Sequence, residues 1–187
     1  NNIKSVDILE QENLTAIAIK ALTKSKLKHL LVDVVIGSAN PNQYVLKKEI
    51  AKYPNINLHI QVDNIGELMK EADISLGSGG ITTWERMSMG LPSIVVTVAE
   101  NQVDSIKNLD RDNYLTWIGN ADQIDENIIY REVLKAIKNT NKTIGTQQKC
   151  QSLINGKGAE IVAKFITIGP DLKTLSIRKA TIKDSLL

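Results

Sequence analysis

Asp73-Ile74-Ser75-Leu76-Gly77-Ser78-Gly79-Gly80-Ile81-Thr82-Thr83-Trp84-Glu85, running on to Met89-Gly90-Leu91-Pro92, takes the chain from a short apolar strand through glycines into a helix. Glycines have no Cβ, so an anion can approach the backbone closely there. The unpaired amides and the positive end of the helix dipole near Ile81 and Thr82 would attract its charge. The stretch reads as an anion seat, and a strand-loop-helix junction of this kind belongs to α/β folds. Glu85 follows Ile81 by about one helical turn, roughly 5 to 6 Å along the same face, near the spacing between a diphosphate and the ribose hydroxyls of one nucleotide. Two readings of Glu85 stand: a carboxylate accepting ribose hydroxyls, or the distal half of a Thr82-x-x-Glu85 capping box that needs no ligand. Trp84, Met87 and Leu91 read as core, with ligand contact as the other reading of Trp84.

Outward from this junction the same alternation repeats. Leu14, Ile17, Ala18, Ala21 and Leu22 recur at helical spacing. Leu30 to Ile36 is a Val-rich apolar run of the kind buried on both faces of a parallel sheet. The pattern predicts helices over 43–53, 65–72, 82–89, 103–109, 125–138 and 146–168, the last weakened by Asn155, Gly156 and Gly158. It predicts strands over 56–61, 74–76, 93–98 and 114–118. Helices interleaved with short Val/Ile strands imply an α/β, Rossmann-like, doubly wound parallel sheet. Residues 1–12 are polar and poorly periodic.

At 187 residues the chain holds one such domain with a sizeable core. Its 42% hydrophobic and 24% charged residues are those of a globular protein, and no apolar run is long enough to cross a membrane. A net charge of +2, with lysines mixed among acids, argues against nucleic acid and for a small-molecule partner. Cys150 is the sole cysteine, and with His29 and His59 it composes no metal cluster. A reducing, cytoplasmic setting is expected. The Gly-Ser-Gly-Gly turn departs from the dinucleotide pattern G-x-G-x-x-G and follows a late strand, so a nicotinamide cofactor, with Glu100 near the ribose position, is a weak alternative.

Ser78-Gly79-Gly80-Ile81-Thr82-x-Trp84-Glu85, Gly90-Leu91-Pro92-Ser93-Ile94 and Asn101-Gln102 together resemble the C-terminal domain of the UDP-sugar hydrolases of pseudaminic acid biosynthesis, relatives of GT-B glycosyltransferases. Asn13-Leu14-Thr15, Val35-Ile36-Gly37-Ser38 and Ile65-Gly66-Glu67-Leu68-Met69-x-x-Ala72-Asp73 extend the likeness to most of residues 13–165. The resemblance implies the C-terminal half of a GT-B fold. It assigns Gly79, Gly80, Ile81 and Thr82 to the diphosphate and Glu85 to the ribose. Val62, Asn64 and Ile65 would contact uracil through backbone groups, and Asn101 and Gln102 the sugar. For Asn101 the alternative is a helix cap, with Asp104 at N3.

It further implies hydrolysis of a UDP-linked 2,4-diacetamido-2,4,6-trideoxyhexose by water, without metal or cofactor. A UDP-sugar glycosyltransferase is the alternative, and a nucleotide-binding module with a regulatory role a third reading. Ser5-Val6-Asp7 lacks the glycine pair that the family carries after its first strand, so the resemblance leads to the expectation that this strand is truncated or lost; the family's N-terminal domain, with a histidine implicated in catalysis, is not matched by these residues. No catalytic residue is therefore assigned, and the chain alone is expected to bind UDP without turning it over. The domain is expected over 1–168. A tail over 169–187, with Leu175-Ser176-Ile177-Arg178-Lys179-Ala180-Thr181, either resembles the start of a fused GNAT-type acetyltransferase or is an ordinary exposed tail.

Overall fold

In a computed structural model of the chain, residues 14–168 and the backbone of residues 2–6 are described, without the side chains of residues 140–144 and 167–168. The acetyltransferase-like tail lies outside the described residues. Contacts divide the chain into two units, residues 1–154 and 155–187.

The first unit alternates strand and helix: β1 (Asn2–Val6), α1 (Leu14–Leu22), β2 (Leu31–Ile36), α2 (Gln43–Ile50), β3 (Ile56–Ile60), α3 (Ile65–Glu71) and β4 (Ile74–Ser78). It continues through α4 (Thr82–Ser88), β5 (Ser93–Thr97), α5 (Glu100–Arg111), β6 (Thr116–Asn120), α6 (Glu126–Lys138) and α7 (Thr140–Leu153). The six strands form one sheet in the order β3-β2-β1-β4-β5-β6, and every neighbouring pair is parallel. This is the expected doubly wound sheet. In the second unit the described element is α8 (Gly158–Ile168), which carries a Lys164–Glu160 pair one turn apart at 2.8 Å.

Three departures from the sequence expectation have physical causes. The first strand is present: β1 is central, its Ile3 in register with Val32 of β2 and Ile74 of β4. Pairing on both edges can hold a strand that its composition does not announce, because ladder hydrogen bonds use backbone alone. The helix expected over 146–168 is two helices, parted at 154–157, where Gly156 adopts φ +72°. Strand β6 begins two residues later than read, since Asn113 turns the chain with φ +58° and the Tyr114 amide is still bonded to Leu109.

Side chains alternate across β5 and so build a core on each face of the sheet. Ile94 and Val96 join Leu14, Ala18 and Leu22 of α1, Val34 and Ile36 of β2, and Ile129 and Val133 of α6. Val95 points the other way, into a cluster with Met87, Ile106, Leu109, Leu115 and Cys150. Both β4 and β5 are buried along their whole length, as strands covered on two faces must be.

Candidate functional site

The chain leaves β1 toward β2 on one side and returns through α3 to β4 on the other, so the winding reverses between β1 and β4. Ligands of open parallel sheets sit outside the carboxyl ends of the strands at such a switch point. Strand β4 delivers Gly79, Gly80 and Ile81 there, just ahead of α4.

The Gly79 amide continues the sheet ladder, donating to the Val96 carbonyl at 3.0 Å. The Gly79 amide is therefore engaged in the sheet, and the open donors of the loop begin at Gly80. The side-chain position of Gly79 still matters: a Cβ there would come within 2.8 Å of Ile106 Cγ1 and 3.3 Å of Gln102 Oε1. Close packing, not left-handed backbone, makes this residue glycine. The amides of Gly80, Ile81 and Thr82 have no acceptor among the described residues, while those of Thr83 and Trp84 turn back to the Gly80 and Ile81 carbonyls at 3.0 and 2.9 Å. Three consecutive open donors thus stand at the head of α4, the arrangement that binds phosphate.

Helical backbone already begins at Ile81, with φ −54° and ψ −38° and no side-chain cap bond. Thr82 is inside the helix and cannot serve as its N-cap, so the capping box does not form. The Glu85 carboxylate enters no hydrogen bond or ion pair among the described residues and is exposed. Ile81, Trp84 and Glu85 share the outer face of α4, and Thr83, Arg86 and Met87 the inner one. Trp84, expected in the core, is 42% exposed for this reason, whereas Met87 and Leu91 are buried as expected.

Gln102 lies against the glycines. Its Oε1 accepts from the Val98 amide at 3.0 Å, which braces the loop between β5 and α5, and its Nε2 would lie 3.9 Å from a Cβ placed on Gly80. Asn101 is exposed in the first turn of α5, a helix that starts at Glu100 behind Ala99 with no side-chain cap, so the Asn101 cap is not formed. Val62, Asn64 and Ile65 follow β3 at the same edge of the sheet; Asn64 precedes α3 without capping it, and Ile65 packs toward Met69 and Leu91. No hydrogen bond among the described residues links them to the glycine loop. The structure thus joins Gly79, Gly80, Ile81, Thr82, Glu85 and Gln102 in one place and leaves the uracil-assigned segment further along the edge.

Arg86 escaped the sequence reading. Its signal was the spacing Thr83, Arg86, Met87, which sets a cation on the apolar face of α4. The two histidines lie elsewhere: His29 is exposed and His59 Nε2 pairs with Asp33 across β2 and β3 at 2.7 Å. Among the described residues no cluster of His, Cys, Asp and Glu could hold a metal, and no helix is long and apolar enough to cross a membrane. A cavity of about 290 Å³ opens at the opposite, amino edge of the sheet between Ile74, Ser93, Thr116, Glu132 and Lys135. The open amides of the glycine loop stand at the other, carboxyl edge, where ligands of open parallel sheets sit.

Residues 9–157 match the family model of the glycosyltransferase family 28 C-terminal domain. The chain belongs to this family. It is similar to the spore coat polysaccharide biosynthesis protein SpsG of Bacillus subtilis, with 27% identity over 125 residues, 66% of this chain and 37% of that protein. It is also 30% identical over 96 residues to protein MJ1062 of Methanocaldococcus jannaschii, covering 50% of this chain and 20% of that protein. The chain thus matches well under half the length of either relative, 37% and 20%.

Among solved structures, WaaG, a glycosyltransferase of lipopolysaccharide biosynthesis, superposes with TM-score 0.66 at 21% identity, over 90% of this chain and 47% of its own. MurG of Acinetobacter baumannii gives TM-score 0.62 at 15% identity, over 90% and 52%. The pneumococcal O-GlcNAc transferase GtfA, solved with UDP and GlcNAc, gives 0.64 at 17%, over 89% and 35%. These likenesses establish the GT-B C-terminal fold. The family match supports the glycosyltransferase reading better than the hydrolase expected first.

Proposed function

We propose that this family 28 domain is the donor-binding half of a UDP-sugar glycosyltransferase. The observation that carries the reading is the run of open amides at Gly80, Ile81 and Thr82 at the switch point, with the unpartnered Glu85 carboxylate about one turn along α4. The amides receive the diphosphate and Glu85 accepts the ribose hydroxyls. As the sugar leaves, negative charge grows on the departing diphosphate, and donors fixed before the reaction stabilise it without reorganising. Gln102 Nε2, beside Gly80, faces the joint between diphosphate and sugar, Asn101 lies further out, and Val62, Asn64 and Ile65 hold the base through backbone groups. The remainder of the protein supplies the acceptor site and the catalytic base. Family membership, the UDP-bound GtfA fold and the polysaccharide role named for SpsG support this reading, with surface polysaccharide assembly as its setting.

Hydrolysis of a UDP-linked 2,4-diacetamido-trideoxyhexose is the second reading, favoured by the run Ser78 to Glu85 with Gly90-Leu91-Pro92 and Asn101-Gln102. The leaving group and its seat are the same, and only the acceptor differs. Calorimetric titration with UDP, ADP and NAD tests the shared part: binding without preference for UDP removes it. For the full-length protein, UDP release that requires an added acceptor supports transfer, and equal release in water alone supports hydrolysis.

A further inference from the structure

Arg86 is the largest fully buried side chain of the described residues, with 0% exposure, yet it stands on the helix that opens the proposed donor site. Its Nη2 donates to the Ser78 carbonyl at 2.6 Å and to Thr83 Oγ1 at 3.0 Å, and the Thr83 hydroxyl donates to the same carbonyl at 3.2 Å. Ser78 is the last residue of β4. Its carbonyl shares one rigid plane with the Gly79 amide. That amide is bonded to Val96, so a single peptide unit is fixed from both sides, by α4 through its oxygen and by β5 through its nitrogen. The open amides of Gly80, Ile81 and Thr82 follow immediately from it.

Two further donors of the guanidinium, Nε and Nη1, are buried without a partner, and no carboxylate among the described residues pairs with it. Burial pushes its pKa down to about 10, opposed by the nearby charge of Glu85, so the cation persists at neutral pH. A buried charge with unsatisfied donors and no carboxylate in direct contact is costly, and such a group calls for a functional reason.

We infer that Arg86 is a positioning residue for the diphosphate: it locks the Ser78–Gly79 peptide and holds a positive charge, with no carboxylate in ion-pair contact, behind the Gly80–Thr82 amides, where the bound anion adds counter-charge. This rests on the donor-site reading. It assigns Arg86 to the phosphate end of the nucleotide and not to the base or ribose.

The test compares the wild-type chain with Arg86→Met and Arg86→Lys for UDP, UMP and uridine, by calorimetry and NMR titration, with circular dichroism to establish folding. Arg86→Met is expected to weaken UDP by about 20-fold or more and uridine by less than about threefold, with UMP between them. Arg86→Lys, which restores the charge but not the planar fork, recovers part of the loss. UDP and uridine weakening in parallel would mean a structural residue only, and unchanged UDP affinity in a folded variant equally overturns the inference. Should Arg86→Met not fold, the wild-type Arg86 Nε–H resonance decides: it shifts with UDP and not with uridine, and a resonance indifferent to UDP is the contrary result. A wild-type chain that binds none of the three ligands overturns the donor-site reading and this inference with it. Wild-type binding with indifferent variants overturns this inference alone.

Discussion

Glu85→Ala separates binding from folding at the proposed site. Glu85 is exposed, forms no cap, and its carboxylate has no hydrogen bond or ion pair among the described residues, so its removal should change stability by no more than about 0.5 kcal/mol. A carboxylate that accepts ribose hydroxyls contributes about 1.5 to 3 kcal/mol in hydrogen bonds to a charged group. At roughly 1.4 kcal/mol per tenfold, the UDP dissociation constant should rise about 10- to 150-fold, nearer the lower end because the site is open to water. The control is 2′,3′-dideoxy-UDP, which lacks both hydroxyls and should bind wild type and variant alike. The assay is isothermal calorimetry of each ligand with each protein, alongside urea denaturation. A folded Glu85→Ala protein with unchanged UDP affinity would refute the ribose assignment. A large loss of stability would show that Glu85 has a partner in the folded chain after all.

Other perturbations probe the frame around the site. Gly79→Ala forces a methyl to within 2.8 Å of Ile106 and 3.3 Å of Gln102, so it should cost about 1 to 3 kcal/mol in urea denaturation and weaken UDP as the loop shifts; a neutral substitution contradicts the close packing. Leu22→Ala, at a fully buried position of α1, should cost about 2 to 5 kcal/mol in the same measurement, and a loss below about 1 kcal/mol would mean that α1 is not docked on the sheet. Asp125 caps α6 by accepting from the Ile128 and Asn127 amides at 2.7 and 2.8 Å, and these bonds hold its pKa below the ordinary 3.8. A depressed carboxylate pKa stabilises the fold above the unfolded value and ceases to do so as pH falls through the folded one. Asp125→Ala should therefore melt lower than wild type at neutral pH and converge with it below pH 3.8, and a gap that widens on acidification is the contrary result. Cys150 is buried, its thiol donates to the Tyr114 carbonyl, and burial pushes its pKa up against the opposing Lys149 charge, so thiol reagents at pH 7 to 8 should label it only after unfolding; rapid labelling of native protein would contradict this.

The amino-acid sequence by itself determined the alternation of strands and helices, the parallel sheet that follows from it, and the glycine junction at residues 77–82, because each is written in local periodicity, breakers and short apolar runs. It also marked Glu85, Asn101 and Gln102, though not which of their alternative roles holds. Tertiary structure decided what depends on partners distant in the chain. Residues 2–6 became a central strand because β2 and β4 flank them, and the Gly79 amide joined the sheet ladder because the Val96 carbonyl accepts from it. The capping box dissolved because the glycine loop enters α4 already helical, and Arg86 was drawn under the loop because the Ser78 carbonyl faces it. Hydrogen bonds between separate strands, and the burial of a charge by elements that close over it, are set by assembly and leave only a faint trace in any single window of sequence.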